Sequence, residues 1–187
     1  MAKRLDQILV IDLESTCWQG NPPPGEVSEV IEIGICPVDI KTGEKKKRDS
    51  IIVKPTHSKV SEFCTKLTTI TQDMVDNGMP FLEAIKILEK KYDSKNRTVA
   101  SYGDYDREML RRNASMYGVQ SPIGKTHMNI KNLAAVMNGW EDEVGMDECL
   151  KRMGIELVGT HHRGEDDAFN IASIAIKLLF ERDGHEK

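Results

Sequence analysis

Features that define several large protein classes are missing from this sequence. No stretch approaches the roughly 18 consecutive apolar residues that a membrane-spanning helix requires, and the N-terminal MAKRLDQ lacks the apolar core of a signal peptide. The cysteines are few and scattered and contain no C-x-x-C pair, which predicts neither a disulfide framework nor a zinc site. They are Cys17, Cys36, Cys64 and Cys149. We therefore expect a cytoplasmic protein in a reducing environment, with no membrane and no obligate protein partner.

Neither sign of charge dominates the composition, because 26 Lys and Arg stand against 30 Asp and Glu and give a formal net charge of −4. This balance is not typical of a protein that coats nucleic acid without specificity, but an enzyme that binds one strand end needs few phosphate contacts. The basic clusters at 45–48, 90–91 and 111–112 are more typical of solvated faces than of a binding patch. A hydrophobic content of 39% in 187 residues predicts a single domain over residues 1–187.

Hydrophobic periodicity predicts strands in the first third of the chain and mostly helices afterwards. ILVIDLES, EVIEIGICPVDI and RDSIIVKP predict three strands in an antiparallel meander, and CWQGNPPPGE predicts a surface loop. RTVASY predicts a further buried strand. The predicted helices are FLEAIKILEKKY, DREMLRRNASMYG, MDECLKRMG and DDAFNIASIAIKLLFER. This order of elements indicates an α/β fold with a mixed sheet and helices on its faces.

The segment ILVIDLESTCW places two acidic residues, Asp12 and Glu14, at the end of an apolar strand. Side chains at i and i+2 share a face of a strand, so the two carboxylates project side by side. Two unit charges about 4 Å apart cost roughly 4 kcal/mol at an effective dielectric constant of 20, so the pair needs a proton, a Lys or Arg, or a divalent metal. A solvated strand end also explains an isolated D-x-E, and the same spacing recurs at Asp106 and Glu108.

Two later segments carry further acidic residues at the boundaries of predicted elements. Asp106 lies where a predicted strand gives way to a helix. HHRGEDDAFNIA places His162 and Asp167 at the start of the last helix, and His161 and Asp166 have the same spacing one residue earlier. A helix N-terminus favours carboxylates, so the two aspartates also have a purely structural explanation.

Three segments, IDLESTCW, YGDYDREML and HRGEDDAFNIA, resemble in order the motifs of the DEDDh 3′-5′ exonucleases of the ribonuclease-H-like superfamily, in which a histidine precedes the last aspartate by five positions. EFCTKLTTITQDMVD and the STCW after the first acidic pair are most similar to the group that contains the 3′ histone-mRNA exonuclease, the Eri-type RNA exonucleases and their bacterial relatives. Thr69 and Ser15 replace the glycine and alanine that are common there, and neither is an expected metal ligand.

The resemblance implies a five-stranded ribonuclease-H-like mixed sheet, with a three-strand antiparallel meander plus parallel strands, flanked by helices. It implies metal-dependent release of nucleoside 5′-monophosphates from the 3′ end of single-stranded nucleic acid, with RNA as the expected substrate. Two Mg²⁺ or Mn²⁺ ions, about 3.5–4 Å apart, would lower the pKa of a water and stabilise charge on the phosphate. The implied catalytic metal ligands are Asp12, Glu14, Asp106 and Asp167. His162 is the implied general base, with His161 as the second candidate.

The resemblance also implies the contacts to the terminal nucleotide. Phe63 and Tyr105 match aromatic positions that stack on the last base, and such stacking is worth roughly 1–3 kcal/mol per base in any sequence. The other expected substrate contacts are Leu13, Ser15 and Thr16. Trp18 is expected either to line the groove or to pack under the proline loop.

Three alternatives to an RNA exonuclease remain at this point. The chain is a DNA exonuclease of the proofreading or repair type, an enzyme limited to short oligoribonucleotides, or a catalytically silent nucleic-acid-binding module. The silent module is the weakest of these, because silent relatives usually lose ligands whereas all five expected site residues are present here. The physiological RNA, the preferred metal and the oligomeric state are left open.

Overall fold

The structure, a computed structural model, describes residues 4–181. Its strands are β1 (Gln7–Ser15), β2 (Val30–Asp39), β3 (Asp49–Lys54), β4 (Met79–Pro80), β5 (Thr98–Ser101) and β6 (His127–Asn129). They form one sheet in the order β4-β3-β2-β1-β5-β6. The pairs β1–β2 and β2–β3 are antiparallel, whereas β1–β5, β5–β6 and β3–β4 are parallel. The predicted mixed sheet is confirmed, but it has six strands rather than five because the two-residue β4 adds an edge.

Helices cover both faces of this sheet. They are α1 (Glu62–Thr68), α2 (Gln72–Asp76), α3 (Phe81–Lys90), α4 (Tyr105–Met116), α5 (Ile130–Asn138), α6 (Met146–Arg152) and α7 (Gly164–Leu179). None of these helices has both the length and the apolar character needed to cross a membrane. Within residues 4–181, the expected proline loop connects β1 to β2 without a helix or strand.

Alternation along β1 divides the core into two layers. Leu9 and Ile11 pack with residues of α3 and α4 on one face of the sheet. Ile8 and Val10 pack with residues of α5, α6 and α7 on the other. Since side chains two residues apart share a face, the next even-numbered residue, Asp12, points to the side that α7 covers.

The close approach of α7 to the sheet depends on two glycines. Gly34 pairs with Asp12 in the β1–β2 ladder, and a Cβ added to Gly34 would overlap the carbonyl group of Gly164 at the start of α7. A Cβ on Gly164 would in turn lie 3.2 Å from the carbonyl oxygen of Asp12. The two glycines therefore let the N-terminus of α7 rest on β1 and β2, beside the acidic end of β1.

Several element boundaries differ from the sequence-based prediction. Helices α3, α4, α6 and α7 lie where periodicity predicts them, although α7 begins at Gly164 rather than Asp166 and ends at Leu179. The predicted end of that helix at Arg182 lies outside the described residues. Helices α1, α2 and α5 and the short strands β4 and β6 have no sequence prediction. Thr69, at the position where glycine is common, ends α1 with φ 63°, a left-handed conformation that glycine adopts without strain.

Candidate active site

The acidic end of β1 and the start of α7 bring three carboxylates together. Asp12, Glu14 and Asp167 each offer an oxygen atom, and these atoms lie within 4.8 Å of one another. Glu14 and Asp167 are buried, with exposed fractions of 8% and 4%, and Asp12 is half-buried at the base of a cavity. The expected convergence of these three residues is thus present in the fold.

Asp106 joins the same cavity from the first turn of α4. Its Oδ1 accepts a 2.9 Å hydrogen bond from the backbone N–H of Leu13, between the two acidic residues of β1. Only 4% of Asp106 is exposed. This bond ties the start of α4 to the end of β1, so the fourth expected carboxylate lies beside the other three.

Burial and mutual repulsion disfavour ionisation of these carboxyl groups. Desolvation and then the charges of Asp106 and Glu14 raise the pKa of Asp12 well above its ordinary value. Desolvation and then Asp167 raise the pKa of Glu14 from 4.5 to about 8. Desolvation also raises the pKa of Asp106, from 3.8 to about 6. A set of buried oxygen donors with excess negative charge fits hard divalent cations such as Mg²⁺ or Mn²⁺.

Two histidines precede α7 and lie against its aspartate. The backbone N–H of His162 donates a 2.9 Å hydrogen bond to Asp167 Oδ2, and His162 adopts the left-handed φ of 62°. His161 Nδ1 lies 3.2 Å from Asp167 Oδ1, and the two imidazole rings stack with centroids 4.0 Å apart. Desolvation, followed by the neighbouring His161, lowers the pKa of His162, which favours the neutral imidazole.

The carboxylates and histidines line one open cavity of about 320 Å³. Its lining residues are Asp12, Leu13, Glu14, Ser15, Cys17, Leu67, Tyr102, Tyr105, Asp106, Met146, His161, His162 and Asp167. All five expected metal-site and base residues are among them, as are three of the five expected substrate contacts. Leu67, Tyr102 and Met146 were not expected from the sequence, because nothing in their local pattern distinguishes them from core residues.

Ser15 and Tyr105 meet at the edge of this cavity. Ser15 Oγ lies 2.9 Å from the Tyr105 hydroxyl, and Ser28 Oγ donates a 3.1 Å hydrogen bond to Ser15 Oγ. Tyr105 is 53% exposed, so its ring lines one side of the cavity while its hydroxyl is held by Ser15. Trp18 is partly buried in the loop that follows β1 and does not belong to the cavity lining within the described residues.

The two other expected substrate contacts lie elsewhere. Phe63 is 38% exposed on α1, one turn before the lining residue Leu67, which places it on the helix face toward the cavity but outside its lining. Thr16 is fully buried, and its Oγ1 donates to Val27 O and accepts from the backbone N–H of Glu29. The side-chain hydroxyl of Thr16 therefore holds the proline loop, and Thr16 is not among the residues that line the cavity in the described part of the chain.

Residues 9–175 match a family model described as Exonuclease, of the RNase T type. The chain belongs to this exonuclease family. It is 30% identical to human 3′-5′ exoribonuclease 1 over 97% of the chain, and it spans only 54% of that relative's length. It is also 28% identical to the probable 3′-5′ exonuclease KapD of Bacillus subtilis, over 95% of the chain and 86% of the relative. The expected membership of this family is confirmed.

A solved structure shows the same fold. The nuclease domain of 3′hExo, a DEDDh family member bound to rAMP, superposes with a TM-score of 0.82 at 28% identity, covering 97% of this chain and 95% of that one. The ribonuclease-H-like fold and the DEDDh resemblance are therefore both confirmed.

Proposed function

We propose that this chain is a divalent-metal-dependent 3′-5′ exonuclease that releases nucleoside 5′-monophosphates from the 3′ end of single-stranded RNA, and that residues 1–187 form one exonuclease domain. The observation that carries the proposal is the convergence of Asp12, Glu14 and Asp167 within 4.8 Å at a cavity that His162 also lines. The exoribonuclease names of the relatives and the rAMP in the similar nuclease domain favour RNA over DNA.

The four carboxylates have one role in this proposal. Asp12, Glu14, Asp106 and Asp167 would hold two Mg²⁺ or Mn²⁺ ions, since all four line one cavity, oxygen atoms of three of them lie within 4.8 Å of one another, and the set is short of positive charge. Bound divalent ions supply Lewis acidity and neutralise the charge that develops on the phosphate and on the leaving oxygen. Without a cation the same carboxylates would repel a phosphodiester, so substrate binding and cation binding are coupled.

His162 accepts the proton of the attacking water. Its lowered pKa, caused first by burial, keeps the imidazole neutral near neutral pH, and within residues 4–181 the ring makes no hydrogen bond that would occupy it. His161 has a different task, because its Nδ1 lies beside Asp167 Oδ1 and orients that carboxylate. We therefore assign the general base to His162 rather than His161.

The terminal nucleotide occupies the cavity between β1 and α4. Its volume, about 320 Å³, is at the lower end of the range for small-molecule sites and suits one nucleotide of a single strand rather than a duplex. Leu13 and Ser15 form its floor, and the exposed ring of Tyr105 forms one wall. Phe63 lies beyond Leu67 at the rim, where it stacks on the base that enters.

The test is digestion of a 5′-labelled single-stranded RNA and its DNA counterpart with Mg²⁺, with Mn²⁺ and with EDTA. Wild-type protein should shorten RNA from the 3′ end in a metal-dependent ladder, and Asp12→Ala should not. His162→Ala should lower kcat by about 10²- to 10⁴-fold, the range for loss of a general base.

The matched control is His57→Ala, which removes a half-exposed histidine outside the cavity. It should leave kcat unchanged. Faster digestion of DNA than RNA would overturn the RNA preference, and an unchanged rate in His162→Ala would overturn the assignment of the base. Intact substrate under all conditions would instead indicate a silent binding module.

A further inference from the structure

Arg163, which follows His162 in the chain, forms an ion pair with the buried Glu32. Arg163 Nε and Nη2 donate hydrogen bonds of 3.2 and 3.1 Å to Glu32 Oε2 and Oε1, the two-pronged geometry that gives strong carboxylate recognition. Glu32 has no exposed surface, and only 23% of the Arg163 side chain is exposed. Glu32 is thus fully shielded from solvent and Arg163 largely so, whereas fully exposed ion pairs contribute little.

Glu32 is a fifth acidic residue near the cavity, but its oxygen atoms are already occupied. Besides the two bonds from Arg163, Glu32 Oε1 accepts a 2.6 Å hydrogen bond from Ser50 Oγ, and Oε2 accepts a 2.9 Å bond from the backbone N–H of Gly164. A carboxylate has about four acceptor sites, and all four are used here. Glu32 is therefore suited to anchoring its neighbours and not to holding a cation.

The position of Arg163 in the chain gives this anchor its consequence. Arg163 stands between His162, which is held in a left-handed conformation, and Gly164, which rests on Gly34 of β2. The amide of His162 is bonded to Asp167, and the amide of Gly164 is bonded to Glu32. A left-handed conformation at a residue other than glycine persists only where the surroundings enforce it.

We propose that Arg163 and Glu32 are positioning residues that hold the turn at residues 162–164 so that the His162 imidazole faces the reacting phosphate. The inference rests on the proposed function, because that function makes His162 the proton acceptor. Neither residue is itself part of the cavity lining, and we infer that they act through the backbone of the turn. A displacement of about 1 Å in a catalytic group can cost about 100-fold in rate, so an anchor of this kind has a measurable effect.

The kinetic test compares Arg163→Met, Arg163→Lys and Glu32→Gln with the wild type on single-stranded RNA. Arg163→Met keeps a long side chain but removes the donors, and it should lower kcat by about 10- to 100-fold while KM changes little. Arg163→Lys keeps the positive charge but lacks the paired N–H donors of the guanidinium, so its kcat should lie between those of Arg163→Met and the wild type. In the double variant Arg163→Met, Glu32→Gln, kcat should fall no further than in the single variant with the larger effect, because both substitutions break the same ion pair. Added guanidinium should partly restore an Arg163→Ala protein.

The control is Arg152→Met, which breaks an exposed Arg–Glu pair within α6 and should leave kcat and KM unchanged. A second measurement does not need activity. Hydrogen exchange at the amides of His162 and Gly164 should accelerate in Arg163→Met, while the amides in the middle of α7 keep their protection.

The outcomes separate this inference from the proposed function. Unchanged kcat and unchanged hydrogen exchange in Arg163→Met would overturn the anchor. A lower kcat together with a higher KM and faster exchange throughout α7 would also overturn it, because that result indicates a general structural role. If Arg163→Met does not fold, Arg163→Lys decides between the same outcomes. An inactive wild type would refute the exonuclease proposal, and the exchange measurement would still show whether the ion pair holds the turn.

Discussion

The carboxylate cluster should make the protein without metal less stable than a variant that lacks one of the charges. Asp12→Asn removes a carboxyl group whose pKa is raised well above its ordinary value, first by burial and then by Asp106, Glu14 and Asp167. An amide of the same shape has no charge to desolvate and no repulsion to overcome. We therefore expect Asp12→Asn to increase the free energy of unfolding in EDTA, although it should abolish turnover.

The size of this effect follows from the distances within the cluster. Oxygen atoms of Asp12, Glu14 and Asp167 lie within 4.8 Å of one another, and two unit charges at that distance repel by about 3.5 kcal/mol at an effective dielectric constant of 20. Because the pKa of Glu14 is raised to about 8, the cluster already holds a proton near neutral pH, which removes part of this repulsion. We expect a gain of about 1–3 kcal/mol, or about 3–10 °C in Tm.

The pH dependence has a definite sign. Carboxyl groups with raised pKa bind more protons in the folded state than in the unfolded state, so they stabilise the fold at low pH. For Glu14 this contribution is complete below pH 4.5 and is lost as the pH rises through about 8. In EDTA, the wild type should therefore lose stability across that window. The slope should be shallower in Asp12→Asn, because one partner in the repulsion is gone.

The assay is urea unfolding followed by tryptophan fluorescence, in EDTA and again in Mg²⁺, across the same pH range. Mg²⁺ should raise the wild-type free energy of unfolding by mass action and should do much less for Asp12→Asn. Asp142→Asn, which changes an exposed aspartate, serves as the control and should match the wild type. Equal or lower stability of Asp12→Asn in EDTA near pH 8 would refute the reasoning.

We also expect measurable effects from the packing of α7 on the sheet and from the aromatic residues at the cavity. Gly34→Ala should lower the free energy of unfolding by about 1–3 kcal/mol and reduce kcat, because the added methyl group overlaps the backbone of Gly164 and pushes α7 away from β1. A urea unfolding curve that matches the wild type would contradict this prediction. Replacing Phe63 and Tyr105 together by Ala should raise KM for oligonucleotides, because stacking on the base is lost. The control is Leu82→Ala, which changes an exposed leucine on α3 and should leave KM unaltered. An unaffected KM in the double variant would reject stacking.

Long periodic segments and motif order were enough to predict most of the framework. β1, β2 and β3 are short runs rich in Ile and Val, and α3 and α7 bury a full face, so their patterns identify them without tertiary information. The acidic positions at the ends of these elements followed from spacing and from the family resemblance. The structure places all of the expected carboxylates at one cavity because the elements that carry them meet there.

Short elements escaped prediction because they hold too few residues to show a period. α1 has 7 residues, α2 has 5 and β4 has 2. The sequence marks the starts of α1 and α2 only by their N-cap residues, Ser61 and Thr71. Each N-cap side chain accepts a hydrogen bond from the backbone N–H of the third residue of its helix, Cys64 in α1 and Met74 in α2. Capping identifies where a helix starts but not how far it runs, so α1 has no prediction as a helix, although the family resemblance implies a substrate contact for its residue Phe63.

The anchor between Arg163 and Glu32 was beyond sequence reasoning for a different reason. The two residues are 131 positions apart, and their pairing depends on the register that sets Glu32 opposite Glu14 in the β1–β2 ladder. A shift of this register between Glu14 and Ser15 then sets Thr16 against Glu29 and the proline loop. Register is a tertiary property, fixed by which faces are buried, and no local pattern reports it for a single polar side chain.

The candidate site gathers features that oppose folding, and this pattern itself supports a functional reading. Carboxyl groups with raised pKa values and the left-handed His162 lie within one region. The rest of the fold consists of well-buried apolar layers that do not require any of them. Selection for stability alone would have replaced such features, because most are removable by a single substitution. Their joint presence is best explained by cation and substrate binding, which stabilises the folded state in proportion to ligand concentration.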